Sequence, residues 1–184
     1  MCRKSELHWF YQDGASHIFP DAFESYREHI PKQEQGDLIK AYHTRLTSED
    51  VDTRRAAAKE WTRWEMATSR LFPDASYLEK AEDLDFAVAF ARIECHYFIN
   101  QAFLEPDQIV RNAGRLAGIP GMIVHGRYDM VCPLDNALAL SRAWPEAELR
   151  IIRDAGHSAT EPAIVDALIR GVEEVVAKTD RNVG

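Results

Sequence analysis

Gly121-Met122-Ile123-Val124-His125-Gly126 is a short apolar run closed in front by Pro120 and behind by its own terminal glycine. Such a run, bounded by turn residues, reads as a buried strand. A loop holding Asp129 and Pro133 follows, then a helix from about Leu134 to Trp144. Glu148 to Arg153, with Leu149-Arg150-Ile151-Ile152 at its centre, reads as a second strand. Asp154-Ala155-Gly156-His157-Ser158 is a loop, and Pro162 opens a last helix to about Ala177. Strand, helix, strand, helix is the order of a parallel α/β layer. Parallel strands occur in sheets covered on both faces, and two of them make no independent sheet. Residues 119–184 therefore read as the C-terminal βαβα piece of a larger α/β fold, with a bare edge and an apolar face wanting neighbours.

Residues 1–118 read differently, as helix after helix. Pro20-Asp21 opens one that runs to Ile30 and stops at Pro31. A second spans about Lys32 to Leu46. Thr47-Ser48 caps a third, which runs to about Thr68 with Glu49 and Asp50 in its first turn. Leu71-Phe72-Pro73-Asp74 breaks the pattern. A fourth, about Ala81 to Asn100, carries Phe86, Phe90, Ile93 and Tyr97 at helical spacing, and a fifth covers about Asp107 to Leu116.

Composition narrows the function. The 184 residues carry 22 Lys+Arg against 30 Asp+Glu, a net charge of −8, and the acidic excess holds on both sides of Ile119. Nucleic-acid binding needs a basic surface, so that class is excluded. The longest clean apolar run, Phe86 to Ala91, is far below the roughly 20 residues of a membrane span. Met1-Cys2-Arg3-Lys4 leads into Ser5-Glu6 with no apolar stretch, which reads as no signal peptide. Cys2, Cys95 and Cys132, odd in number and widely spaced, suit reduced thiols in a cytoplasm. No zinc spacing and no H-E-x-x-H appears, so no metal is expected, and His8, His17, His29, His43, His96 and His125 read as surface or packing residues.

Asp129 and His157 both fall just past the carboxyl ends of expected parallel strands, where open α/β sheets place their sites. Asp followed by His, one helix and one strand later, fits the last two members of a hydrolase triad. The carboxylate would orient the imidazole, and the imidazole would move the proton. Spacing alone leaves an equal alternative, a turn-capping aspartate and an ordinary loop histidine. Glu65 follows Trp64 one turn beyond Trp61, and Glu94 interrupts an apolar helix among Phe90, Tyr97 and Phe98. Two carboxylates beside ring faces would suit an ammonium ligand. Solvated helix glutamates, or an ion pair of Glu94 with Arg92, explain the same residues.

The words of the sequence add a resemblance. Ile119 to Pro133, with His125-Gly126-Arg127-Tyr128-Asp129 at its centre, is similar to the strand and acid loop of the α/β-hydrolase superfamily, and Ala155-Gly156-His157-Ser158 to its histidine loop. Ser5-Glu6-Leu7-His8-Trp9-Phe10-Tyr11-Gln12, Trp64-Glu65-Met66-Ala67-Thr68-Ser69 and Phe90-Ala91-Arg92-Ile93-Glu94-Cys95-His96-Tyr97-Phe98 resemble the proline iminopeptidase (prolyl aminopeptidase) family. The likeness runs from about Arg3 to about Val176. It implies an all-helical cap before the C-terminal part of a hydrolase core, and release of N-terminal proline from peptides by a Ser-Asp-His triad. It implies Asp129 as triad acid, His157 as base, and Glu65 and Glu94 as receivers of the substrate's amino group. No metal or organic cofactor is implied, and oligomeric state is left open. Cys132, three residues past Asp129, becomes a candidate for the thiol sensitivity of the family, although a buried structural thiol suits it better.

The nucleophile is the departure. No serine of the chain lies in G-x-S-x-G; Ser16, in Gly14-Ala15-Ser16-His17-Ile18, comes nearest, with no strand before it to build an elbow. The oxyanion donors belong to the same upstream region, so the N-terminal core strands are expected to be missing and the chain to be a shortened form, inactive alone. Three other readings stand beside this one: a fragment that binds peptide amino termini without cleaving, another capped α/β-hydrolase of the esterase kind, and a structural remnant that cannot fold.

Overall fold

The computed structural model describes residues 3–72 and 74–181; Cys2 and Pro73, both read above, lie outside them. The chain divides into two compact units: one of Cys2–Thr68 and Phe72–Pro106, the other of Met1, Ser69–Leu71 and Asp107–Gly184.

The first unit is helical: α1 Lys4–Tyr11, α2 Pro20–Glu28, α3 Leu38–Leu46, α4 Val51–Thr68, a single turn α5 Ala75–Leu78, and α6 Leu84–Ile99. Pro20 sits in the first turn of α2, where its missing N–H costs nothing. The helix expected from Lys32 is broken: Lys32–Glu34 form a 3₁₀ turn, and α3 starts only after Asp37, whose carboxylate accepts the Lys40 N–H. The cap of α4 also differs from expectation. Asp50, rather than Thr47-Ser48, takes the Thr53 N–H at 3.0 Å, and Asp52 is the acidic residue of the first turn. Helix α1, unread in the sequence, brings Phe10 and Tyr11 into the core.

Helix α4 packs on α6, α3 and α2. The core between them is aromatic. Phe10 stacks on Trp64 at 5.0 Å, Tyr11 on Trp61 at 4.6 Å, and Tyr26 on Tyr42 at 4.4 Å between ring centroids. Such ring pairs add about 0.5–1.5 kcal/mol each beyond the area they bury. Helix α6 buries Ala87, Ala91 and Cys95, and leaves Phe86, Ile93 and Tyr97 exposed. The buried face is the one with small side chains, which lets α6 come close to α4 where Ala57 and Ala58 are buried too.

The second unit holds α7 Gln108–Asn112, β1 Gly121–Gly126, α8 Leu134–Ala143, β2 Ala147–Ile152 and α9 Pro162–Arg181. Strands β1 and β2 are parallel, in register from Gly121↔Ala147 to Gly126↔Ile152. Among the described residues these are the two strands of the sheet. Helix α8 contacts both, and so does α9. Gly121 is required beneath Trp144, since a Cβ there would lie 2.2 Å from the indole ring. Helix α9 leaves Val165, Leu168, Ile169, Val172 and Val176 exposed. Beside them a pocket of about 250 Å³ is lined by Met122 and Val124 of β1 and by Gly171 and Val175. The apolar face that two strands cannot cover is thus present in the structure.

Candidate active site

Strand β1 ends at Gly126, and the backbone turns directly into the loop that carries Asp129. The Arg127 N–H donates to Ile152 O at 2.8 Å and the Tyr128 N–H to Ala155 O at 3.0 Å, so the acid loop is bonded to the end of β2 and the histidine loop. Gly126 makes this approach possible: a Cβ there would lie 1.9 Å from Gly156 O. The histidine loop is anchored on its other side. The N–H groups of His157 and Ser158 both donate to Ser69 O, at 3.0 and 2.8 Å. Buried Glu161 takes the Gly156 N–H at 2.8 Å and the Leu71 N–H at 3.4 Å.

These anchors bring Asp129 and His157 together. The His157 Nδ1–H donates to Asp129 Oδ2 at 3.0 Å. Asp129 is 8% exposed, and its other oxygen accepts the N–H groups of Val131 and Cys132 at 3.1 and 2.7 Å. The carboxylate is therefore fixed in direction, with both of its oxygens accepting hydrogen bonds. A proton on Nδ1 makes Nε2 the basic nitrogen of the ring. The imidazole itself is partly exposed, as a base that must meet a substrate has to be.

Sequence reasoning missed a third residue here. His125, read as a surface or packing histidine, is half-buried against the same carboxylate: its Nε2 lies 3.6 Å from Asp129 Oδ2 and 2.9 Å from Cys132 O. A carbonyl only accepts, so Nε2 carries the proton. No local pattern signals this, because strand alternation says only that His125 shares a face with Ile123, opposite Met122 and Val124.

In the helical unit, Glu65 of α4 and Glu94 of α6 meet the same cluster of rings. Glu65 is 4% exposed and accepts the Tyr11 hydroxyl. Glu94 accepts the Trp61 indole N–H at 3.0 Å. Trp61 and Tyr11 are stacked, which ties the two carboxylates to one aromatic wall. Burial pushes the Glu65 carboxyl well above the usual glutamate range, and the nearby Glu94 charge pushes it further; the Tyr11 hydrogen bond works the other way. Burial and the same two carboxylates hold the Tyr11 hydroxyl far above its ordinary value, so it stays a donor. Tyr11 and Phe98 also line a pocket of about 330 Å³ with Lys4, His8 and Ile39. An ammonium group is the ligand that such a wall favours, because it relieves the repulsion between the carboxylates and meets ring faces. Tyr11 lies in a quoted motif but drew no role, since its partner is 54 residues away.

Among the described residues no three His, Cys, Asp or Glu side chains gather as a metal site, and no helix is long and apolar enough to cross a membrane.

Residues 11–162 match the family described as alpha/beta hydrolase fold. The chain belongs to that family. Both Asp129 and His157 lie inside the matched span. Among curated relatives, the chain is similar to a proline iminopeptidase of Xanthomonas citri, 56% identical over 94% of this chain and 56% of the relative. A proline iminopeptidase of Xylella fastidiosa is 55% identical over 96% of this chain and 56% of its own length, and one of Arabidopsis thaliana 48% identical over 96% and 47%. The chain thus spans about half the length of the curated relatives it matches.

Proposed function

We propose that this chain carries the acid, the base and the amino-group receptor of a serine-type prolyl aminopeptidase, which releases proline from the amino terminus of peptides in the cytoplasm. The helical unit serves as the cap that selects substrate, and the α/β unit as the C-terminal part of the hydrolase core. The observation that carries the reading is the pairing of buried, fully hydrogen-bonded Asp129 with His157. Asp129 stabilises the imidazolium that forms when His157 takes the proton of a serine nucleophile, and His157 returns that proton to the leaving amine. Glu65 and Glu94 take the substrate's ammonium group, which fixes the first residue of the peptide as the one cleaved. The names of the relatives support the same activity.

Since no serine of the 184 residues lies in G-x-S-x-G, the chain alone should not hydrolyse a proline anilide. A chimera supplying the upstream region of the Xanthomonas citri relative tests the assignment. Hydrolysis is expected from the chimera, with a loss of about 10⁴-fold or more in Asp129→Asn and in His157→Ala. A chimera whose rate is indifferent to both substitutions would sink the reading. The cap is tested separately, by titrating this chain with a proline-terminated peptide: binding retained in both Glu65→Ala and Glu94→Ala would remove the glutamates from the proposal.

A further inference from the structure

We propose that His125 is a positioning residue for Asp129, acting through Cys132. The inference rests on the reading of Asp129 and His157 as acid and base, and adds what holds the acid in place. Cys132 is gripped at both ends: its N–H donates to Asp129 Oδ1 at 2.7 Å, and its carbonyl accepts from His125 Nε2 at 2.9 Å. Its freedom is small in any case, because Pro133 follows it and disfavours the α region for the residue before. Pro133, at φ −53° and ψ 142°, leads straight into α8. His125 itself is fixed by the pairing of β1 with β2, opposite Ile151.

The result is a closed ring of contacts. Asp129 Oδ1 meets the Cys132 N–H, the Cys132 carbonyl meets His125 Nε2, and that nitrogen lies 3.6 Å from Asp129 Oδ2. The same Oδ2 accepts from His157. The rigid strand thus reaches the carboxylate through one residue of the loop. Without the His125 donor, the Cys132 carbonyl loses the hydrogen bond that ties it to β1, and Asp129 is less well aimed at Nδ1 of His157. The contacts of His125 are with the Cys132 carbonyl and Asp129, so its effect should appear in the Asp129–His157 bond before any rate is measured.

The test uses the full 184-residue chain labelled with nitrogen-15. Long-range proton–nitrogen spectra read the tautomer of each imidazole, and the Nδ1–H proton of His157 reports its bond to Asp129. The unmodified chain should show His125 protonated at Nε2 and a protected Nδ1–H on His157. In His125→Leu that proton should exchange at least about threefold faster, the opening expected when one ordinary hydrogen bond is withdrawn. His125→Gln, whose side-chain amide can reach the same carbonyl, should restore the protection; a purely space-filling role would favour Leu over Gln. Unchanged protection in His125→Leu, or no recovery in His125→Gln with β1 and β2 amides intact, overturns the inference. Should His125→Leu fail to fold, the tautomer in the unmodified chain still decides: a His125 protonated at Nδ1 alone cannot donate to Cys132 and overturns it. Absence of the His157 Nδ1–H signal from the unmodified chain overturns the acid–base pairing and this inference together, whereas a signal that survives in the Leu variant overturns this inference alone.

Discussion

Glu65→Gln is the most informative substitution in the helical unit, because the sign of its effect depends on pH. Glu65 is 4% exposed, accepts a hydroxyl hydrogen bond from Tyr11 and lies within reach of the Glu94 charge. Its carboxyl therefore keeps a proton in the folded state well above the pH at which an unfolded glutamate loses it, about 4.3. Between those two values the native state binds more protons than the unfolded one, so stability falls as pH rises. The stability is fully present below the unfolded value and stops falling once Glu65 ionises in the native state. Each unit of the window costs about 1.4 kcal/mol.

Glutamine removes the ionisation and keeps an oxygen for the Tyr11 hydroxyl. At pH 4 the variant should match the parent. At pH 8 it should be more stable by about 1–3 kcal/mol, the usual cost of burying a poorly compensated polar group in mutational data. Hydrogen exchange of α1, α4 and α6 amides, read by mass spectrometry at the two pH values, isolates the helical unit from the α/β unit. An amine ligand sharpens the case: a proline amide should stabilise the parent at pH 8 and have little effect on the variant. A variant no more stable than the parent at pH 8, or equally stabilised at pH 4 and pH 8, would show that Glu65 is not the strained carboxyl the geometry describes.

Gly126→Ala drives a methyl group into Gly156 O, 1.9 Å from the ideal Cβ position, and should cost the α/β unit about 1–3 kcal/mol; protection of β2 amides against hydrogen exchange measures it. Glu161→Ala strips the acceptor from the Gly156 N–H and should destabilise by about 1–3 kcal/mol, with His157 moved and the Asp129 bond weakened, read by the His157 Nδ1–H signal. Cys95, whose thiol is pushed up to about 12 by burial and then by the charges of Glu94 and Asp37, should resist alkylation at pH 8 until the helical unit unfolds; peptide mapping after iodoacetamide shows whether it does.

The α/β layer was legible because its signals are local. Pro120 and Gly126 bracket β1, and the apolar stretch of β2 is short enough to exclude a helix; both strands lie within a residue of where periodicity puts them. The helical unit was legible in kind and wrong in detail. The break at Gly36-Asp37 was lost because the residues before it, Lys32 to Gln35, are ordinary helix formers that do form a short 3₁₀ turn. Thr47-Ser48 looked like a cap, but Asp50, with Thr53 three residues on, offered the α4 N-terminus a stronger charged acceptor. The orientation of α6 could not be read from its apolar stripe. Phe86, Ile93 and Tyr97 are the larger hydrophobes, and a hydrophobicity argument buries them. The structure instead buries Ala87, Ala91 and Cys95, because the close approach of α4 leaves room for small side chains only.

The two halves of the candidate site differ in the same way. Asp129 and His157 follow strands whose ends could be located, and a parallel pair in register places those ends side by side; that adjacency becomes a 3.0 Å bond through two short loops. The glutamates had no such frame. Trp61 and Trp64 beside Glu65, and Phe90 and Phe98 around Glu94, suggested ring faces, yet which ring donates to which carboxylate depends on how α1, α4 and α6 pack. Tyr11 reaches Glu65 and Trp61 reaches Glu94 across 54 and 33 residues. His125 is the sharper case, because it lies only four residues from Asp129 and yet reads, from the sequence, as no more than a surface or packing histidine. On a helix that spacing would have put the two on one face. Here a strand ends between them and the chain folds back, so the contact comes from the turn at Gly126, whose missing Cβ lets the acid loop lie against Ala155 and Gly156. The glycine that was read as the end of a strand is also what turns the carboxylate toward both imidazoles.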